Sequence, residues 1–336
     1  MNQILIESIL QSGQFPHPFQ KRTLVETHIS YVILGTSYAY KFKKDLQYSF
    51  LDFSTLPLRK YYCERELHLN NRLTKGMYLK VVTARQSGSG IIIDGEEGEI
   101  IDYAIQMKRM QDSKQMHVML EKRQVNENHI RALAKVIRKF HRQTDIIHVP
   151  FDRQKFSSRF NDIKSIADPV REKLGDVYAE IIEKSIRVSD QFLHTHDDLF
   201  TQRVQDGWIR DCHGDLHSRN IFLYAHPVIF DCIEFNDEFR QIDILDELAF
   251  FCMDLEAEGY ARLSTLFIDV YFQSNKERFG QKEKLLFTYY KAYRANVRAK
   301  VNGLRLTSAE GKEIVTHTRE IQKYLSLMDA YLAELT

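Results

Sequence analysis

An α+β fold is expected, with a small antiparallel sheet carrying one helix followed by a larger, mainly helical part. Three observations predict it. Short β-branched and aromatic runs, separated by turn residues, fill residues 29–107. One helical stretch, residues 55–73, interrupts them. From Asn126 onward apolar residues recur at steps of three and four rather than two. The change of period near residue 110 divides the chain into an expected first part, 1–110, and a second, 111–336. A chain of 336 residues, 43% hydrophobic, can bury cores of that size.

The elements follow in order. Ile29 to Leu34 is β-branched and apolar, Gly35-Thr36-Ser37 reads as a turn, and Tyr38 to Lys44 alternates. In that alternation Tyr38, Tyr40 and Phe42 share one face, and Ala39, Lys41 and Lys43 the other. Ser54 or Thr55 then caps a helix that tolerates Pro57 in its first turn. Its inward stripe is expected to be Leu58, Tyr62, Glu66, Leu69 and Leu73, and a carboxylate inside an apolar stripe asks for a cation. Strands resume at 78–83, 91–93 and 99–107, with a turn at Asp94-Gly95. In the second part Ile130, Leu133, Ile137 and Phe140 mark a helix. Further helices run through 155–205, a short β segment begins at Trp208, and long helices follow.

Composition narrows the function. Lys and Arg number 47 against 46 Asp and Glu, and a net charge of +1 argues against a nucleic-acid binder. The longest apolar run, Leu248 to Met253, is too short to span a bilayer, so no membrane partner is expected. The first residues hold one short apolar patch broken by Glu7 and lack the features of a signal peptide. Cys63, Cys212, Cys232 and Cys252 lie apart without a CxxC pair, which reads as buried thiols of a cytoplasmic protein.

Chemistry concentrates at residues 213–220, His-Gly-Asp-Leu-His-Ser-Arg-Asn. Asp215 and Asn220, five residues apart, are too far for a helical pair and natural for a loop. Phosphoryl transfer needs a carboxylate to orient and deprotonate the acceptor hydroxyl, and oxygen ligands for Mg²⁺. Such a loop supplies both. An apolar strand, Ile221 to Tyr224, a turn at Ala225-His226-Pro227 and a return strand, Val228 to Phe230, bring Asp231 back beside Asn220 as two ligands for one Mg²⁺. A single Asp or Asn in a loop is more often a turn former or cap. Loop, hairpin and second Asp together carry the functional reading.

The segment Cys-His-Gly-Asp-Leu-His-Ser-Arg-Asn-Ile-Phe, followed by Val-Ile-Phe-Asp, resembles the aminoglycoside phosphotransferase family. That family includes choline and fructosamine kinases and is a relative of the protein kinases. The resemblance implies a protein-kinase-like two-lobed fold. Its small antiparallel-sheet N-lobe, 1–110, would hold nucleotide, and its large helical C-lobe, 111–336, the catalytic loop, metal site and substrate-binding helices. Gly214 and His217 stand where protein kinases carry Arg and Lys, which favours the small-molecule branch. Residue by residue, the resemblance makes Asp215 the catalytic base, Asn220 and Asp231 the metal ligands, His213 a loop-ordering residue and His217 a phosphate-contacting one. It also implies that Asp246 stabilises the catalytic loop, while Glu234 is a candidate to touch metal or substrate.

Tyr38-Ala39-Tyr40-Lys41 is similar to the kinase lysine strand, so Lys41 is the candidate for the α- and β-phosphates of ATP. Glu66 is its expected ion-pair partner, with Glu64, on another face, as second choice. The plain alternatives are an exposed strand lysine and a snorkelling glutamate. No GxGxxG precedes Lys41; Thr27-His28-Ile29-Ser30 is the expected phosphate-facing loop. Met107-Lys108-Arg109-Met110 is the expected adenine-holding linker, although its methionines also fit an ordinary core. Lys291, Arg294, Arg298 and Arg305 share one helix face that reads as solvated. Turned toward a cleft, it would suit an anionic acceptor.

The expected activity is ATP- and Mg²⁺-dependent transfer of the γ-phosphoryl group to a hydroxyl of a small molecule. A protein Ser/Thr kinase and a pseudokinase-like nucleotide-binding module are the alternatives. A metallophosphoesterase is less favoured, because His17, His28, His68 and His117 are isolated. The whole chain also resembles a bacterial group of uncharacterised proteins whose kinase-like part is often followed by a P-loop domain. Since G-x-x-x-x-G-K-[ST] does not occur here, a P-loop kinase is expected as a separate partner.

Overall fold

Period-two patterning in the first part becomes one six-stranded antiparallel sheet in a computed structural model of the chain, which describes residues 1–19, 21–88, 90–273, 279–307 and 309–336. The first strands are β1 (Thr23–Glu26), β2 (Ser30–Leu34) and β3 (Tyr38–Lys43), followed by a small hairpin of β4 (Gln47–Tyr48) and β5 (Leu51–Asp52). Then come β6 (Tyr78–Ser87), β7 (Gly90–Ile93) and β8 (Glu99–Lys108), and the sheet order is β1-β2-β3-β8-β6-β7. Strand β3 is therefore interior, with Lys41 opposite Val32 on one side and Ile105 on the other.

Its two faces do different work. Tyr40 and Phe42 pack with Tyr31, Ile33, Val82 and Ile91. Helix α1 (Gln3–Ser12) adds Ile6 and Ile9 to that cluster, so the patch at the N-terminus is an amphipathic helix. Ala39 joins Cys63, Met77, Tyr78 and Ile105 on the opposite face, under helix α2 (Leu56–Asn71). Each fully buried side chain of this size stabilises the fold by roughly 1.5–3 kcal/mol.

Thr55 caps α2, its hydroxyl accepting the Leu58 N–H at 3.4 Å. The buried stripe is Arg59, Cys63, Glu66, Leu69 and Asn70, turned by one residue from the expected one, and Leu58 and Tyr62 are only half-buried. The rotation has a polar cause. Arg59 Nε donates to Asp102 Oδ1 at 2.9 Å and Nη1 to the Phe53 carbonyl at 3.0 Å, so a paired cation takes the interior position.

By compactness, the described chain divides into two units, Met1–Arg123 with Arg219–Arg240, and Gln124–Ser218 with Gln241–Thr336. The first unit ends in α3 (Met116–Glu121) and includes the short hairpin of Ile221–Phe222 and Val228–Ile229. The second holds α4 (Glu127–Gln143), α5 (Arg153–Asn161), α6 (Ala167–Leu174), α7 (Asp176–Thr195) and α8 (Asp197–Gln205). It continues with α9 (Ile244–Ala257), α10 (Ala261–Phe272), α11 (Gln281–Leu306) and α12 (Lys312–Ala333).

Asn126 and His129 cap α4 reciprocally, and Ile130, Leu133, Ile137 and Phe140 are buried as their period predicts. Helix α9 is buried on every side from Ile244 to Leu255, against α10 and α11. A two-stranded ribbon, Ile209–Asp211 with Gln241–Asp243, leads into the loop that begins at Cys212. All four cysteines are buried, and none is in a disulfide. Among the described residues no helix is long and apolar enough to cross a membrane.

Candidate active site

In the first unit the alternation of β3 sends Lys41 and Lys43 to the same face, toward α2. Lys41 Nζ lies 2.7 Å from Glu66 Oε1 and 2.5 Å from Asp231 Oδ1. Lys43 Nζ lies 2.8 Å from Glu66 Oε2 and also pairs with Glu234 Oε1. The result is an alternating chain, Asp231–Lys41–Glu66–Lys43–Glu234. Glu64, the second choice, is exposed and pairs only weakly with Lys60 at 3.8 Å.

Burial would push the Glu66 carboxyl up, but Lys41 and Lys43 outweigh it and hold its pKa at about 2. Burial would likewise depress Lys41, yet Asp231 and then Glu66 raise it well above the ordinary lysine value. Glu234 goes the other way: burial dominates and raises its carboxyl despite Lys43.

The hairpin in this unit pairs Ile221 with Ile229, and the Phe230 N–H donates to the Asn220 carbonyl at 3.0 Å. Asn220 and Asp231 thus end adjacent strands, as their spacing predicts. Asp231 has a φ of +65°, the left-handed region that non-glycine residues seldom occupy, and its N–H donates to the Tyr78 hydroxyl at 3.1 Å. Such local strain concentrates at functional positions.

In the second unit the loop 213–218 is fastened at both ends by α9. The N–H groups of His213 and Gly214 donate to Glu247 Oε1 at 2.6 and 2.7 Å, and the Ser218 N–H donates to Asp254 Oδ2 at 2.8 Å. Glu247 and Asp254 stand seven residues apart, two turns of one helix face. Gly214 has a φ of +88°, where a side chain would be strained. The Asp215 N–H donates to His213 Nδ1 at 3.2 Å, which fixes the ring as an acceptor there. Asp215 Oδ2 lies 3.3 Å from His217 Nε2. Partial enclosure would raise the Asp215 carboxyl, but His217, then His213 and Arg298, hold it well below the usual carboxylate range.

Asp246 meets the loop through an intermediary: it takes Arg294 bidentately at 2.6 and 2.9 Å, and Arg294 donates to the Gly214 carbonyl at 3.4 Å. The direct clamp is its neighbour, Glu247. One expectation is corrected here: the cationic face of α11 is not solvated. Arg294 is buried, Lys291 meets Glu256 at 3.0 Å, Arg298 packs over the Tyr324 ring, and of the four only Arg305 is exposed.

Glu247 also faces His141, whose Nε2 is 2.5 Å from Oε2 and whose Nδ1 is 2.8 Å from the Tyr271 hydroxyl. With Cys212 these form a buried His-Cys-Glu group of metal-ligand type. Its His and Glu atoms are already bonded to each other and to the loop, which reads as a structural network.

The remaining candidates lie in the first unit. The Thr27 hydroxyl closes its own turn, donating to the Ser30 carbonyl at 3.1 Å and accepting the Ser30 N–H at 2.9 Å. His28 stacks on Tyr48 with centroids 5.5 Å apart, and the Ser30 side chain is buried. Met107 belongs to the core cluster, the Arg109 N–H donates to the Ser37 carbonyl at 2.8 Å, and its guanidinium pairs with Asp112. Sequence reasoning missed Glu247 and Asp254, whose contacts with the loop leave no local signal. Lys43 had one: it shares the face of Lys41.

No family model matches the chain. An uncharacterised protein of Mycobacterium tuberculosis, Rv2004c, is 28% identical over 305 residues, 88% of this chain and 57% of its own length. A protein of Mycobacterium bovis gives the same values. The chain therefore spans little more than half the length of these curated relatives. Among solved structures, choline kinase from Cryptosporidium parvum matches 94% of this chain and 90% of its own, with a TM-score of 0.56 and 11% identity.

The likeness to this choline kinase is one of fold. Plasmodium vivax ethanolamine kinase gives a TM-score of 0.50 over 90% of this chain and 81% of its own, at 11% identity. Glucosamine kinase in complex with glucosamine, ADP and inorganic phosphate gives 0.50 over 95% and 77%, again at 11% identity.

Proposed function

We propose that the protein is a phosphotransferase that uses ATP and Mg²⁺ to phosphorylate a hydroxyl of a small molecule. One observation carries the reading. Lys41, on an interior strand, joins Glu66 of α2 to Asp231, the residue at the end of the hairpin that follows the His-Gly-Asp-Leu-His-Ser-Arg-Asn motif. Its outer counter-ion, Asp231, is partly exposed and stands in a left-handed backbone conformation, which sets Lys41 apart from the wholly buried Lys43.

In this reading Lys41 meets the α- and β-phosphates, and Asn220 and Asp231 offer the oxygen donors that suit Mg²⁺. Bound there, the ion would neutralise charge on the β- and γ-phosphate oxygens. Asp215 receives the acceptor's hydroxyl proton. Its lowered pKa keeps it ionised at neutral pH, so it serves more as an orienting acceptor than as a strong base. His213 orders the loop through the Asp215 N–H, and His217 stands beside the carboxylate to contact the phosphoryl group.

The turn at Thr27, His28 and Ser30 would approach the phosphates through its backbone, and the linker at Met107 and Arg109 the adenine. Nucleotide thus belongs to residues 1–110 and the acceptor to 111–336. The fold neighbours named for choline, ethanolamine and glucosamine support a small acceptor rather than a protein. A P-loop kinase partner is also part of the proposal. Four cysteines without a disulfide favour the cytoplasm.

Mg-ATP is expected to raise the melting temperature, and a mass-spectrometric screen of metabolites to find one that gains a phosphoryl group. Asp215→Asn should abolish that gain while sparing nucleotide binding. Full phosphotransfer by Asp215→Asn would refute the assignment of the base, and stabilisation by Mn²⁺ or Zn²⁺ alone would favour a hydrolase.

A further inference from the structure

The alternating chain of charges in the first unit has an open end and a closed end. Side-chain exposure is 39% at Asp231 and 10% at Lys41, then falls to 0% at Glu66 and Lys43 and 4% at Glu234. A lysine–glutamate pair that presents one cation to a ligand needs only the first three members. Here the chain continues inward by two more ionised groups, and burying them costs several kcal/mol each unless they are paired.

The geometry explains what they do. Glu66 gives one oxygen to each lysine: Oε1 to Lys41 and Oε2 to Lys43. With Lys41 alone, the buried carboxylate would draw that ammonium toward both its oxygens and neutralise it. Lys43 supplies the second counter-charge from the interior, and Glu234 balances Lys43 in turn. Stacking of the Lys43 ammonium over the Phe53 ring, 4.7 Å from its centroid, fixes it further.

We propose that Lys43 and Glu234 are positioning residues for phosphoryl transfer, holding Glu66 from the interior so that the charge of Lys41 is available to nucleotide phosphates. The inference rests on the phosphate role proposed for Lys41. Neither residue touches the nucleotide; both act through Glu66.

The test replaces the inner pair by apolar residues, Lys43→Met with Glu234→Met, because removing both members of a buried pair is often neutral to folding whereas removing one is not. Calorimetry then compares the Kd for Mg-ATP with that for adenosine, which carries no phosphate; Lys41→Met is the control. The double variant is expected to melt within a few degrees of wild type and to bind Mg-ATP about tenfold more weakly, with adenosine affinity unchanged. Equal loss for both ligands would mean a merely structural role and overturn the proposal. So would wild-type Mg-ATP binding by the double variant while Lys41→Met loses it. Wild-type binding by Lys41→Met as well would instead refute the phosphate role of Lys41. If the double variant does not fold, Glu234→Gln carries the same comparison, with a smaller loss confined to Mg-ATP as the supporting result and an unchanged ratio as the refuting one.

Discussion

Acid should remove the contribution of Glu66 to stability over a defined window of pH. Its carboxyl has an ordinary value of 4.5 and is held at about 2 by Lys41 and Lys43, and that drop corresponds to on the order of 3 kcal/mol of stability. Because the folded value is the lower one, this contribution is fully present above pH 4.5 and is lost as pH falls from there toward 2. Glu66→Gln keeps the shape and removes the charge. At pH 7 it is expected to be less stable than wild type by about 3 kcal/mol, and the gap should close between pH 4.5 and 2. Urea denaturation followed by circular dichroism, repeated at each pH, measures the difference between the two proteins and so cancels every other titration. Glu234→Gln supplies the contrast. Burial raises the Glu234 carboxyl, so its stabilising contribution is greatest at low pH and shrinks as pH rises, and its difference from wild type should slope the opposite way. A gap for Glu66→Gln that stays constant from pH 6 to 3 would refute the idea that this carboxylate works as a buried anion shared by two lysines.

Three other outcomes are expected. Gly214→Ala places a side chain at a φ of +88°, at a backbone cost of about 1–2 kcal/mol. It should reduce phosphotransfer more than it lowers the Kd-determined affinity for Mg-ATP. Arg203→Met strands Asp243, which takes that guanidinium at 2.6 and 2.7 Å in a buried pair, and should cost about 3–5 kcal/mol. Since Arg203 lies 4.6 Å from the ring of Trp208, the chain's one tryptophan, fluorescence should report the change directly. Thr55→Ala removes the cap of α2 and should lower stability by about 1 kcal/mol in a thermal melt.

Much of the fold was legible because its patterns are local. Ile130, Leu133, Ile137 and Phe140 repeat at helical spacing, and the two strands after Asn220 are separated by a proline-containing turn, so each could be read within a dozen residues. Strand β1 escaped because only Leu24 of its four residues is even half-buried, which leaves no alternation to read. The face of α2 was misjudged by one position for a related reason. Apolar periodicity places leucine inside, whereas an arginine with two buried acceptors 6 and 43 residues away displaces it.

The site divides along the same line. Lys41, Glu66 and Asp231, which the structure joins, could be singled out as residue types at characteristic positions, but the groups that hold the loop 213–218 could not. Helix α9 makes the point most clearly, since it is buried all round yet rich in acids, and every one of them must find a partner there. Asp243 caps the helix and binds Arg203, Asp246 takes Arg294, Glu247 takes two loop N–H groups and His141, and Asp254 takes the Ser218 N–H. Glu256, at the end, takes Lys291 and the Tyr331 hydroxyl. In sequence these five acids look alike. Only the three-dimensional pairing separates the two that grip the loop 213–218, Glu247 and Asp254, from those that brace the helices around it. An acidic, fully buried helix is costly unless each charge is answered, so the loop's geometry is fixed by the same pairings that make the core stable.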